Sequence, residues 1–170
     1  MRYAWAMPLS QEDEPRIQVL LRTLSITAYA MFAGVALFAA IAAGIITQQT
    51  APSTVAGLSI PLPAIGLALA LGSLAASFVI KGALLRTASP GSAGDPEAFG
   101  KALARFQRAT IVALALCEGA CLFLIVLSIM EGPGALPWLA GLMVPIFGMV
   151  LHFPTRLRLD QFLSDSSQVH

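Results

Sequence analysis

The chain has 170 residues, is 57% apolar and only 11% charged, against about 25% charged residues in an ordinary soluble domain. Its formal net charge of +1 excludes the strong overall field that recruits nucleic acid or an acidic partner. The apolar residues fall in long unbroken runs, which a soluble core assembled from amphipathic elements does not need, so the solvent expected for most of this chain is lipid.

A helix crosses about 30 Å of hydrocarbon with about 20 mostly apolar residues. The first stretch of that length, Leu24 to Thr47, contains no charged residue. It is too long for a cleaved leader and follows the acidic cluster Glu12, Asp13, Glu14 instead of a basic segment, so it is expected to stay in the chain. The second, Leu58 to Ile80, is also uncharged and is closed by Lys81. Thr87 to Gly94 (TASPGSAG) then reads as a flexible linker by composition. Asp95, Pro96 and Glu97 mark a helix start, with a capping carboxylate, a proline at the first helical position and an acid where the helix dipole favours one. No proline follows before Met130, which predicts a single rod of about 35 residues, or about 50 Å. Its inner part, Thr110 to Met130, is the third apolar stretch and carries one charge, Glu118. Glu131 to Gly134 ends that helix; the fourth stretch, Ala135 to Phe153, holds Pro145 near its middle. Beyond it, Arg156 to Leu163 mixes basic and apolar residues in the manner of a short interfacial segment.

All four stretches are expected to be helices, because a lone strand in lipid leaves its backbone groups unpaired and the alternation of a membrane barrel is absent. Arg2, Arg16 and Arg22 precede the first stretch; Lys81, Arg86, Lys101, Arg105 and Arg108 lie between the second and third; Arg156 and Arg158 follow the fourth. The opposite loops, Gln48 to Gly57 and Glu131 to Gly134, contain no Lys or Arg. The positive-inside rule therefore predicts cytoplasmic termini. The expectation is an all-α, polytopic membrane protein with a single four-helix transmembrane domain over residues 1–170, N-in/C-in. Its spans are about 24–47, 58–80, 110–130 and 135–153, with a cytoplasmic loop and helix extension over 81–108. A bacterial-type plasma membrane is the compartment expected in the absence of an organelle signal.

Helices in lipid associate by close packing of small residues. Ala64, Ala68, Gly72 and Ala76 recur every four residues along the second stretch, as do Ala36, Ala40 and Gly44 along the first. On the third, Thr110, Cys117, Cys121 and Ser128 share a narrow face, with Glu118 about 80° to one side at 3.6 residues per turn. Between the halves there is also an echo at constant offset, Gly34, Leu37 and Phe38 against Gly119, Leu122 and Phe123.

Glu118 is the one ionisable residue deep in an apolar stretch. It stands ten residues past Arg108, or about 15 Å along the axis. An ionised carboxylate at that depth costs several kcal/mol, so the residue is expected to be neutral, to have a partner, or to meet a water-filled route. It is the candidate proton or ion site. The alternative is a structural carboxyl that donates one hydrogen bond to a backbone carbonyl, Ser73, Ser77 or Thr27 and only sets helix register. Cys117 and Cys121, four apart, are too few ligands for a metal and are expected to pack; a single internal histidine, His152, gives no pair of axial ligands for haem. No metal and no cofactor is therefore expected. Trp138 near the outer boundary and Arg156 and Arg158 near the inner one are candidate interfacial anchors. No phosphate loop, HExxH or nucleophile motif is present, so an enzyme is not expected.

The stretch Phe106 to Met130, with Ala115, Leu116 and Glu118 followed by an apolar run containing Phe123, resembles the second helix of the rotor-ring proteolipid (c subunit) of rotary ATP synthases. That helix follows a polar cytoplasmic loop and carries one ion-binding carboxylate. The resemblance implies that Glu118 takes up and releases a proton or a sodium ion. It covers about 25 residues; the preceding helix lacks the dense glycine repeat of that family, and the loop is longer. The function expected from these readings is a small four-helix membrane protein, a subunit of a homo-oligomeric or larger membrane assembly, with the lipid bilayer and further membrane subunits as partners and no nucleic acid. The alternatives are a proteolipid-like or transporter-like subunit that carries ions through Glu118, and a membrane anchor of an enzyme complex that presents residues 81–108.

Overall fold

The computed structural model describes residues 13–50, 62–86 and 96–167. The expected start of the second stretch at 58–61, the linker at 87–94 and the terminal His170 lie outside them. Among the described residues every regular element is helical: α1 (Asp13–Gln48), α2 (Leu62–Arg86), α3 (Pro96–Glu131), a 3-10 helix (Pro133–Leu142), α4 (Met143–His152) and α5 (Arg156–Ser167). Four helical stretches are long and apolar enough to cross a membrane, the last of them formed by the 3-10 helix and α4 together.

α1, 36 residues long, begins well before the expected span at Leu24, whereas α3, also 36 residues, is the rod of about 35 residues that the sequence predicts. The charged and polar residues before each apolar run continue the same helix, because nothing there breaks it: Pro15 stands in the first turn of α1 and Pro96 at the first position of α3, where the missing N–H costs no hydrogen bond. At about 1.5 Å per residue each rod is about 54 Å long, well beyond the hydrocarbon thickness.

The fourth stretch departs from a plain α-helix. Its first ten residues form a 3-10 helix containing Pro137, entered through Gly132 at φ 87°, a backbone conformation glycine adopts without steric penalty. Pro145 sits in the first turn of α4, and with no N–H it cannot donate to the carbonyl four residues back. Pro137 thus removes an α-type bond within the tighter winding, and Pro145 removes one just after it. The helix ends at His152; Phe153 is extended, with ψ 131°, as the residue before Pro154 must be.

α3 is the hub. Its chief neighbours are α2, α1, α4 and the 3-10 helix, and α5 touches it as well. Three apolar layers follow one another along it. Ile17, Leu24, Leu103, Phe106 and Leu159 pack together at the end where the basic residues cluster. Ala28, Leu114, Cys117 and Met149 form the middle layer; Val35, Ala42, Cys121, Leu124, Ile125 and Leu142 form the far one. α1 and α3 run in the same direction and α2 and α4 return against them.

Close approach to α3 depends on two glycines. A Cβ on Gly66 of α2 would stand 2.8 Å from Leu124 Cδ1 and 3.3 Å from the Leu124 Cα. One on Gly148 of α4 would stand 2.5 Å from Leu74 Cδ1 and 2.9 Å from Cys117 Sγ. The inward face of α2 is therefore Pro63, Gly66, Ala70 and Ser77, all buried.

Candidate functional site

The expected small-residue stripe on α2 lies to one side of that inward face. Ala64 and Ala76 are half-buried, whereas Ala68 and Gly72 are exposed, and a Cβ on Gly72 would meet nothing within 4 Å. Ala36, Ala40 and Gly44 on α1 are exposed too. On α3, by contrast, Thr110, Cys117, Cys121 and Ser128 are all fully buried. Both thiols are free, and among the described residues no group of three or more metal-ligating side chains converges.

Glu118 sits where α3 turns from its buried to its outward face. Val112, Ala115, Gly119, Phe123, Val126 and Met130 form an exposed stripe along the helix, and Glu118 borders it, half-buried. Across from it is α1 at Gly34, where an added Cβ would lie 3.8 Å from Glu118 Oε1. Of the hydroxyls offered by the sequence as partners, Ser77 and Thr27 are engaged elsewhere. Ser77 Oγ donates to the Leu74 carbonyl at 2.7 Å and contacts His152 Nε2 at 2.8 Å, and Thr27 Oγ1 donates to the Thr23 carbonyl at 3.0 Å. Among the described residues the Glu118 carboxyl has neither a hydrogen bond nor an ion pair. It lies roughly midway along the apolar part of α3. An open groove of about 570 Å³ lies between the charged ends of α1 and α3, lined by Arg16, Val19, Thr23, Leu103 and Gln107 among others, and does not include Glu118.

Three polar contacts were not legible in the sequence. Ser77 and His152, 75 residues apart, meet in a buried pair, with the His152 ring tilted against Phe78 at 4.6 Å between centroids. Ser77 Oγ also lies 2.7 Å from the Leu74 carbonyl, and the Ser77–His152 pair forms a polar contact that joins α2 to α4. At the opposite end, Glu131 Oε2 accepts from the Leu62 backbone N–H at 3.2 Å and so caps α2 from another helix. At the basic end, Arg156 makes a two-pronged ion pair with Glu14, Nη2 to Oε2 at 2.8 Å and Nη1 to Oε1, and its Nε lies 3.6 Å from Asp160. Arg156, one of the two expected inner anchors, is thus committed to carboxylates of its own chain; Arg158 has no ion pair among the described residues. Trp138 is half-buried in the 3-10 helix.

Among the described residues the arrangement defines a class, a helical bundle built on one central helix, with four stretches long and apolar enough to cross a membrane. No protein-family model, curated protein or solved structure matches the chain.

Proposed function

We propose that this chain is an integral membrane subunit, crossing the bilayer four times with its termini in the cytoplasm of a bacterial-type plasma membrane. In this reading it works beside further copies or other membrane subunits through Glu118. The observation that carries it is the half-exposed Glu118 carboxyl, bordering the outward stripe of α3 and lacking any partner among the described residues. In hydrocarbon an ionised carboxyl costs several kcal/mol unless a cation, a donor or water reaches it. A neighbouring subunit that brings one of these to the α1–α3 edge would let the proton leave and return. That is also the role implied for Glu118 by the proteolipid resemblance. Gly34 supports the reading by leaving the approach open, where a bulky side chain would cover the carboxyl.

The test is labelling with dicyclohexylcarbodiimide, which reacts with protonated carboxyls from the apolar phase, on the purified protein in lipid. The expected result is one modified site, lost in Glu118→Gln and weakened in Gly34→Leu. Proton flux in proteoliposomes should fall with the label. Absence of labelling in the wild-type chain would mean a carboxyl sealed from the apolar phase, and proton exchange at Glu118 would be abandoned.

A further inference from the structure

The basic end of the bundle holds two cations in a position the proposed proton site does not explain. Ser77, Lys81 and Leu85 follow one another at four-residue steps, so they share a face of α2. The first is tied to His152 at 2.8 Å, and the last packs in the apolar layer that holds Leu159. Lys81 therefore stands one turn beyond the contact with His152 on that face. Arg158 is next to Leu159, and the side chains of Lys81 and Arg158 are both half-buried. The two cations lie within each other's electrostatic reach and both act on the buried His152. Neither has an ion pair among the described residues, while the nearby Asp160 is occupied by Arg156.

Two like charges brought together by packing repel one another, and the cost is relieved by an anion between them. Around them the surface is apolar: Phe78, Val79 and Ile80 are exposed one turn before Lys81, and Leu157 is exposed beside Arg158. An anion with an apolar body, its charge at the level where the helices leave the apolar zone, matches this setting.

We propose that Lys81 and Arg158 bind the phosphate headgroup of an anionic phospholipid in the leaflet on the basic side of the protein, with the acyl chains lying against Phe78 and Val79 of α2. The inference rests on the reading that the four helices cross the bilayer. It is tested by native mass spectrometry of the full chain released from micelles containing phosphatidylglycerol or phosphatidylcholine. The wild-type chain should retain phosphatidylglycerol in preference, and the double variant Lys81→Gln with Arg158→Gln should bind it about 30-fold more weakly, equivalent to about 1 kcal/mol per cation near a charged surface. Arg156→Gln, which removes a cation already paired with Glu14, should leave retention unchanged. Circular dichroism of each variant reports whether the helices persist, and single substitutions at Lys81 and Arg158 serve where the double variant unfolds. Equal retention of both lipids by the wild type, or equal retention of phosphatidylglycerol by folded variants, overturns the site. Displacement of the lipid by inorganic phosphate at matched concentration overturns it as well, by assigning the cations to a free anion. Alkaline carbonate extraction keeps the two readings apart: a chain that stays with the membrane pellet yet shows no lipid preference sinks the site and leaves the crossing intact.

Discussion

At Gly148 three helices meet with no room for a methyl group. A Cβ there would press on Cys117 Sγ at 2.9 Å and on Leu74; the leucine tip has other rotamers, but the thiol is fixed in the fully buried middle layer. Gly148→Ala is therefore expected to lower stability by about 1–3 kcal/mol, and Cys117→Ala in the same chain to recover part of that loss, the two being in contact. Thermal unfolding in micelles, followed by circular dichroism for the two single variants and the pair, measures the coupling; strict additivity would refute the contact. Of the residues that build the site, Glu118 stood out in the sequence because a lone acid in an apolar run is conspicuous. The glycines that matter did not, because small residues recur at helical spacing on every face of α2. Ala64, Ala68, Gly72 and Ala76 make as regular a stripe as Gly66, Ala70 and Ser77, and only the positions of the neighbours distinguish them. The Ser77 to His152 clasp was hidden for a similar reason, its partners being 75 residues apart on different helices.

Among the elements, the segment from Pro133 to His152 is the one whose form hydropathy misses. Apolar content identified it as a stretch able to cross a bilayer, but a composition average does not register that ten of its residues wind as a 3-10 helix. The sequence does carry a local signal, since Pro137 lies inside those ten residues and Pro145 just beyond them, and each lacks a backbone donor. A 3-10 helix rises about 2.0 Å per residue against about 1.5 Å for an α-helix, so ten residues gain about 5 Å of reach. Replacing Pro137 and Pro145 by Ala restores both donors and is expected to let the segment relax to α-helix and shorten by about 3–5 Å. Spin labels at exposed Gly134 and Val150, read by pulsed dipolar spectroscopy, check this, and an unchanged distance would mean that packing against α3 dictates the winding.

On the scale of the whole molecule, the crowding of basic residues at one end was visible in the sequence, and the structure adds what that end is tied to. Arg156 clamps α5 to the start of α1 through Glu14, and its guanidinium holds the Glu14 carboxyl below the usual carboxylate range. A lowered acid contributes its stabilisation in full above its ordinary value, and the contribution is lost as pH falls through the lowered one. A nitroxide at the exposed Gln161 should therefore remain restrained at neutral pH and gain mobility on acidification below the ordinary carboxylate range. Arg156→Gln should be mobile throughout, and a wild-type signal that does not move with acid would show that the apolar contacts of Leu159 and Phe162 hold α5 unaided. The arrangement of helices around α3 also bears on the order in which the molecule is made. α1 leaves the ribosome first, yet its buried stripe of Ile17, Leu24, Ala28, Val35, Ala42 and Ile46 is shaped for α3 and the 3-10 helix, which are synthesised only after α2 has followed. On the four-crossing reading α1 waits in lipid as a solitary helix, and it is equipped to wait. Thr23, Thr27 and Thr47 each return their hydroxyl to a carbonyl of their own helix, and no charge interrupts Leu24 to Thr47. The threonines of α1 thus bring their own hydrogen-bond partners into lipid, before the central helix arrives.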